Sequence, residues 1–288
     1  MKAHENAVIH WLLEDNNPAV KYRTQTEILG ESADKTPVIA WAKGFLPADW
    51  KEREGLWSTY YLTTIAESGL SFADIPLDKE KAIHYGTDYR FEHSCGDYMR
   101  LRALVRLGLV NDVTNIIRNL TEKQLPDGGF LCLHRVDKMN RIPKSCVKAN
   151  MYALMFCAEC RKKDIKIDIE KPLLDYFWNH NLFYRTDHPE TLILNAREGW
   201  RTIDTFYPFE VMRVGLQNVL ESFCVLGYGN DVRLKEAWDI LNGKKTEDGK
   251  YLLNGRLSKS YMPKERVGKP SKWVTFYALL AQKERDNL

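Results

Sequence analysis

No stretch of the 288 residues approaches the ~18–20 consecutive apolar positions that a membrane-spanning helix needs. Charge bias is missing too. The 42 Lys and Arg stand against 39 Asp and Glu, for a net charge of +3 and a pI near 8.4. So even a balance gives no basic face of the kind that nucleic-acid binders concentrate. The start, Met1-Lys2-Ala3-His4-Glu5, has no apolar run followed by a cleavage signature, so a cytoplasmic address is expected. In that compartment the six cysteines (Cys95, Cys132, Cys146, Cys157, Cys160 and Cys224) stay mostly reduced, which excludes a disulfide framework. Low-complexity tracts, linkers and shifts of composition are all lacking, so residues 1–288 read as one domain. Alternating apolar–polar runs are absent as well, which argues against half-buried strands.

What the sequence does hold is a repeat. Leu107-Gly108, Asn111-Asp112-Val113, Lys123 and Asp127-Gly128-Gly129 recur as Leu226-Gly227, Asn230-Asp231-Val232, Lys244 and Asp248-Gly249. Asn111 and Asn230 lie 119 positions apart, and Asp127 and Asp248 lie 121 apart, so the spacing changes by only two residues. Each copy reads as an apolar helix ending at Leu-Gly, a short turn, a second helix and an Asp-Gly turn. A helical pair cannot bury its own apolar face and must stack on neighbours.

Helical periods fill most of the chain. They predict helices over 5–14, from Pro18 to about Leu29-Gly30, and over 36–44, 56–68, 76–88, 94–107 and 111–124. Further helices are expected over 145–160, 169–179, 208–226 and 231–242, and a last one from Lys272 behind an N-cap at Ser271. The fold class is all-α. Helical pairs close into a toroid or extend as an open superhelix. Few repeats, irregular in length, with Asp-Gly turns feeding long loops, favour an (α/α)6 toroid over a solenoid of strict period. Its inner helices are expected to begin near Ser94, Ser145, Pro208 and Ser271.

Gln124-Leu125-Pro126-Asp127-Gly128-Gly129-Phe130, followed by Lys144-Ser145-Cys146 and the helix Ala149–Leu154, resembles the repeat of the terpenoid cyclase and protein prenyltransferase superfamily. Val20-Lys21-Tyr22-Arg23-Thr24 and the tail Gly268-Lys269-Pro270-Ser271-Lys272-Trp273 resemble small bacterial prenyltransferase-like or squalene-cyclase-like proteins. The resemblance implies the toroid, an apolar central cavity and an isoprenoid or lipid-like substrate. The motifs that carry the family's chemistry are missing: there is no Asp-x-Asp-Asp acid and no Asp-Asp-x-x-Asp magnesium site. Two other readings stay open: a non-catalytic toroid that binds a ligand or partner, and a sugar-active (α/α)6 enzyme. The expected partner is a small hydrophobic molecule, with no nucleic acid and no membrane span.

Three clusters carry candidate chemistry. Cys95, Cys132 and Cys146, with His134, Asp97 or His93 as a fourth ligand, have the donor types of a zinc site. The same cysteines also read as small buried hydrophobes. Trp200, Phe206 and Tyr207 surround Asp204 as the mouth of an apolar or sugar pocket would, with Asp204 an acid if desolvated, and otherwise a cap of the helix near Pro208 or a partner of Arg201. Asp97 and Asp204 form the one carboxylate pair available for catalysis. Tyr98, Tyr152 and Trp273 are either lining of the same cavity or core. In the loop after Gly129, Arg135 and Lys144 are the groups that would hold a diphosphate, or simply a solvated basic surface. Cys157-Ala158-Glu159-Cys160 has redox spacing but lies inside a helical run, which marks it as structural.

Overall fold

The computed structural model describes residues 3–44, 56–75, 78–87, 95–109, 123–131, 145–193, 214–255 and 265–288. Eleven α-helices occur among them: α1 (Ala3–Leu12), α2 (Pro18–Arg23), α3 (Thr36–Gly44), α4 (Leu56–Glu67), α5 (Lys79–Thr87), α6 (Cys95–Arg106), α7 (Val147–Lys162), α8 (Glu170–Asn179), α9 (Leu216–Val225), α10 (Lys235–Gly243) and α11 (Lys272–Asp286). The described residues contain no strand, only isolated bridges such as Lys245–Tyr251. The all-α expectation is met.

Burial sorts these helices into two kinds. In α3, α8 and α10 a single stripe is buried, as in Leu173, Leu174, Tyr176 and Phe177 of α8. Such one-sided helices face solvent on the other side. The helices α6, α7, α9 and α11 are buried on every face: residues 97–105, 149–160, 216–224 and 272–278 are continuously inside. So are residues 61–67 of α4. The fully enclosed helices touch in sequence, α4 on α6, α6 on α7, α7 on α9 and α9 on α11. From there α11 packs on α2 and on the π-turn Thr24–Ile28 that continues it.

The repeat is exact in its hydrogen bonds. Gly128 N–H donates to the Leu125 carbonyl (2.8 Å), and Leu125 N–H to the Gly129 carbonyl (2.8 Å). In the second copy, Gly249 N–H donates to Thr246 and Thr246 N–H to Lys250 (both 2.9 Å). The aromatic that follows each turn is tied to the start of the next enclosed helix. Phe130 donates its N–H to Asn150 Oδ1 (2.7 Å) and accepts from Cys146 N–H (2.9 Å). Tyr251 does the same with Thr275 Oγ1 (3.0 Å) and Ser271 N–H (2.9 Å). Asn150 and Thr275 each stand four residues after the helix N-cap, Cys146 and Ser271 respectively. The Asp-Gly turn thus sets the register at which a new enclosed helix enters the core.

Helix starts largely match expectation: α6 begins at Cys95, α7 at Val147 and α11 at Lys272, with Ser271 Oγ accepting from Val274 N–H (3.1 Å). The third start differs. The described helix α9 begins at Leu216 behind Gly215, whose extended backbone (φ −84°, ψ 157°) interrupts the run expected from Pro208. Residues 208–213 and the expected helix 111–124 lie outside the described residues, except for Lys123 and Gln124.

Candidate functional site

The enclosed helices all offer polar groups to the interior, at two levels. At the level of their first turns stand several of the residues singled out from sequence. Asp97 is fully buried in the first turn of α6 and ion-paired with Arg100 one turn on. Tyr98, also fully buried, sets its ring 5.2 Å from that of Phe130, so the Asp-Gly turn and α6 meet there. Cys95 opens α6 and Cys146 caps α7; both are half-buried and packed against the core. Cys132, His134, Arg135, Lys144, Trp200, Asp204, Phe206 and Tyr207 lie outside the described residues. Among the described residues no group of three or more His, Cys, Asp or Glu is arranged to hold a metal. Of the zinc ligands expected from the sequence, only Cys95 and Cys146 fall among the described residues, and Cys132 and His134 lie outside them.

Cys157 and Cys160 sit fully inside α7. Burial pushes the Cys160 thiol up to about 12, and raises Cys157 well above its ordinary value. Both stay protonated at neutral pH, which fits a structural role, since reactivity belongs to the thiolate.

The second level lies toward the C-terminal ends, and it is an ion network that sequence inspection did not single out. Arg23 at the end of α2 is wholly buried and chelates Glu27 through Nε and a terminal nitrogen (2.5 and 2.6 Å). Its other terminal nitrogen donates to the Glu67 carbonyl (3.1 Å) and to Tyr277 Oη (2.7 Å). The π-turn places Glu27 where this chelate closes, and Leu29 N–H reaches back to Thr24 to complete it (3.0 Å). Glu67 of α4 accepts from Arg102 of α6 and from the Tyr277 hydroxyl of α11. Arg106 bridges Glu27 (3.1 Å) and Glu159 of α7 (3.3 Å), and Lys162 pairs with Glu221 of α9. Four cations, Arg23, Arg102, Arg106 and Lys162, face four carboxylates, Glu27, Glu67, Glu159 and Glu221.

Burial alone would push Glu27 and Glu159 toward the neutral form; the guanidinium groups prevent it. For Glu27 the desolvation that raises its pKa is outweighed by Arg23 and Arg106, which hold it down at about 2. Glu159 is lowered in the same way, burial being overcome by Arg106 and Arg102. Burial works against the charge of Arg23 and Arg102, and Glu27 and Glu67 more than restore it. Glu27 and Glu159 are thereby held as carboxylates beside charged Arg23 and Arg102. In low dielectric such a set is tolerated only when every member is paired.

Outside the network opens a cleft of about 620 Å³, lined by Glu27, Leu70, Arg106, Glu159, Lys162, Val225, Leu280 and Leu288, with Arg161, Lys163 and Glu284 at its walls. Helices α6, α7, α9 and α11, the π-turn and the residues following α4 all contribute. A sequence signal for the network did exist. Arg102 and Arg106, or Glu159 and Lys162, are charges three or four residues apart inside runs otherwise too apolar to be solvated. No family model, curated protein or solved structure matches this chain.

Proposed function

We propose that the enclosed helices α4, α6, α7, α9 and α11, together with α2, form the inner ring of a closed α/α toroid, and that this toroid binds a small molecule at the end where the inner helices begin. The supporting observation is the ion network. It draws side chains from all six helices to one level, as helices set around a common axis would. Filled with paired charges, that level acts as a plug. A ligand entering the ring does so from the other end, where Asp97, Tyr98, Cys95 and Cys146 stand. Chains of inner and outer helices close in this way when each outer helix, solvated on one face, covers the gap between two inner ones.

Binding without chemistry is favoured over the transferase or cyclase that the resemblance implies. Asp97 is already engaged by Arg100, and the cyclase and diphosphate motifs are absent from the sequence. The test is what the protein carries. Native mass spectrometry of the purified protein, with elemental analysis for zinc, is expected to find a stoichiometric small molecule that Tyr98→Ala releases and Lys163→Ala, at the cleft, retains. If Lys163→Ala releases it and Tyr98→Ala does not, the ligand end has been assigned backwards. A protein that carries nothing and is not thermally stabilised by any of a broad set of small molecules has no such site.

A further inference from the structure

We propose that the layer one helical turn above the ion network is a site for a neutral, polyhydroxylated ligand of the sugar or polyol class, oriented by Asn218 and Trp273. The inference rests on the closed-ring reading and names the ligand that such a ring would take. Thr63, Tyr98, Asn218 and Trp273 stand three or four residues before Glu67, Arg102, Glu221 and Tyr277, all members of the network. That spacing puts each on the same helix face as its network residue, one turn nearer the open end. Thr63 is 4% exposed, and Asn218 and Trp273 are fully enclosed. Yet Thr63 Oγ1, Asn218 Nδ2 and Trp273 Nε1 have no hydrogen-bond partner among the described residues.

Buried polar atoms are paired in the great majority of proteins, so three orphans at one depth on α4, α9 and α11 call for a common explanation. Their chemistry narrows it. The indole N–H and the amide nitrogen are donors only, and the Asn218 Oδ1 is already taken by Gln217 Nε2 (3.1 Å), which fixes the amide's orientation. The indole is held by stacking on Tyr277 (interplanar angle 25°, centroids 6.4 Å apart), whose hydroxyl is tied to Glu67. Two fixed donors and a hydroxyl ask for ligand oxygens, and the indole face offers a flat apolar surface for the C–H face of a ring. The same turn contributes Ala19 on α2 and Met155 on α7, so the layer has no formal charge, and the network beneath it is balanced. Among the described residues of this layer there is no excess cation to favour a diphosphate. A hydrocarbon tail would leave all three polar groups unpaired, and sites built to hydrogen-bond reject ligands that cannot.

The experiment has two readouts. Thr63→Val removes an orphaned polar atom at nearly constant shape, so it is expected to raise the melting temperature of the ligand-free protein by about 2–4 °C. Asn218→Leu removes one orphaned atom and one that accepts from Gln217, so it is expected to leave the melting temperature nearly unchanged. Trp238→Phe on α10 is the contrast, because Trp238 Nε1 is paired with the Gly229 carbonyl (2.9 Å) and its loss should lower the melting temperature. Calorimetric titration with glucose, maltose and myo-inositol, against farnesol and geranylgeranyl diphosphate, is expected to show saturable binding of a polyhydroxylated probe. Asn218→Leu and Trp273→Phe should weaken it at least tenfold. Binding of the isoprenoids alone, binding of no sugar or polyol at millimolar concentration, or a fall in melting temperature for both Thr63→Val and Asn218→Leu overturns the ligand class. The ring reading fails separately, if α2 and α11 exchange their amide hydrogens as free ends.

Discussion

At the scale of single residues, Gly128 shows how little freedom a structural turn has. Its φ of +84° lies in the left-handed region, and a Cβ built there would enter the carbonyl of Pro172 at the first turn of α8. Gly128→Val therefore meets two penalties, backbone strain of about 1–3 kcal/mol and a clash that only a shift of α8 can relieve. A drop in melting temperature several times that of an ordinary surface change is expected. Asp127 is replaceable within the same turn. Its Oδ1 accepts from Gly129 N–H (3.0 Å) and from the Ser145 hydroxyl (2.6 Å), both of which an Asn oxygen can take. Asp127→Asn should melt within about 1 kcal/mol of the parent. If it keeps its stability but loses ligand, the turn belongs to the binding site. Arg102 lies at the other extreme. Arg102→Leu removes the cation shared by Glu67 and Glu159 (3.8 Å for the latter) and leaves buried carboxylate charge uncompensated. A loss of about 3–5 kcal/mol is expected in denaturant titration. Pairing the change with Glu67→Gln should recover part of it, a non-additivity that would be missing if Arg102 acted through packing alone.

At the scale of elements, the sequence was legible wherever a helix had a punctuated end. Thr36-Pro37, Gly69, Leu107-Gly108 and Ser271 place α3, α4, α6 and α11 within a residue or two of their boundaries. The repeat was readable because glycine must supply the same positive φ twice, +91° at Gly108 and +92° at Gly227. The start of α9 was not readable: an extended glycine inside an apolar run leaves no mark on hydrophobic periodicity. The site was less legible than the fold. Asp97 and Tyr98 were found because they follow a break at the head of a helix. Arg23, Glu67 and Glu221 were passed over because a charge in a helical run is usually solvated, and only the packing of one helix against another reveals that these are not. The network has a pH signature. Glu27 is held at about 2 when folded, against an ordinary value of 4.5, so its contribution to stability is complete above about 4.5 and is withdrawn as the pH falls toward 2. Glu159 shifts in the same direction. The urea midpoint is expected to fall steadily below pH 4.5, and Glu27→Gln should flatten that decline while lowering the midpoint at pH 7. An unchanged acid slope in Glu27→Gln would mean that Glu27 keeps no pairing in solution.

At the scale of the whole molecule, the question is whether the array of helices has ends. In an open solenoid the terminal repeats have one neighbour each and fray first, so stability falls from the centre outward. Here the last helix lies against the first part of the chain: α11 packs on α2, Tyr277 meets Arg23, and Lys283 Nζ donates to the Glu27 carbonyl (2.7 Å). The guanidinium of Arg23 also rests over the rings of Phe276 (4.5 Å) and Tyr277 (5.0 Å), so α2 is held to α11 by charge, hydrogen bond and aromatic face together. A contact of this kind, across 254 positions of sequence, supports the proposed ring, in which a solenoid's ends would be lost. Native-state hydrogen exchange separates the two architectures. In a closed ring the amides of α11 should exchange as slowly as those of α6, α7 and α9, through global unfolding, while the outer helices α3, α8 and α10 open locally and exchange faster. Tyr277→Phe should then speed exchange in α4 as well as in α11, because the hydroxyl it removes is shared with Glu67. An exchange profile that is slowest in α7 and quickens steadily toward both α2 and α11 would show that the array opens from its ends, and the toroid would have to be given up.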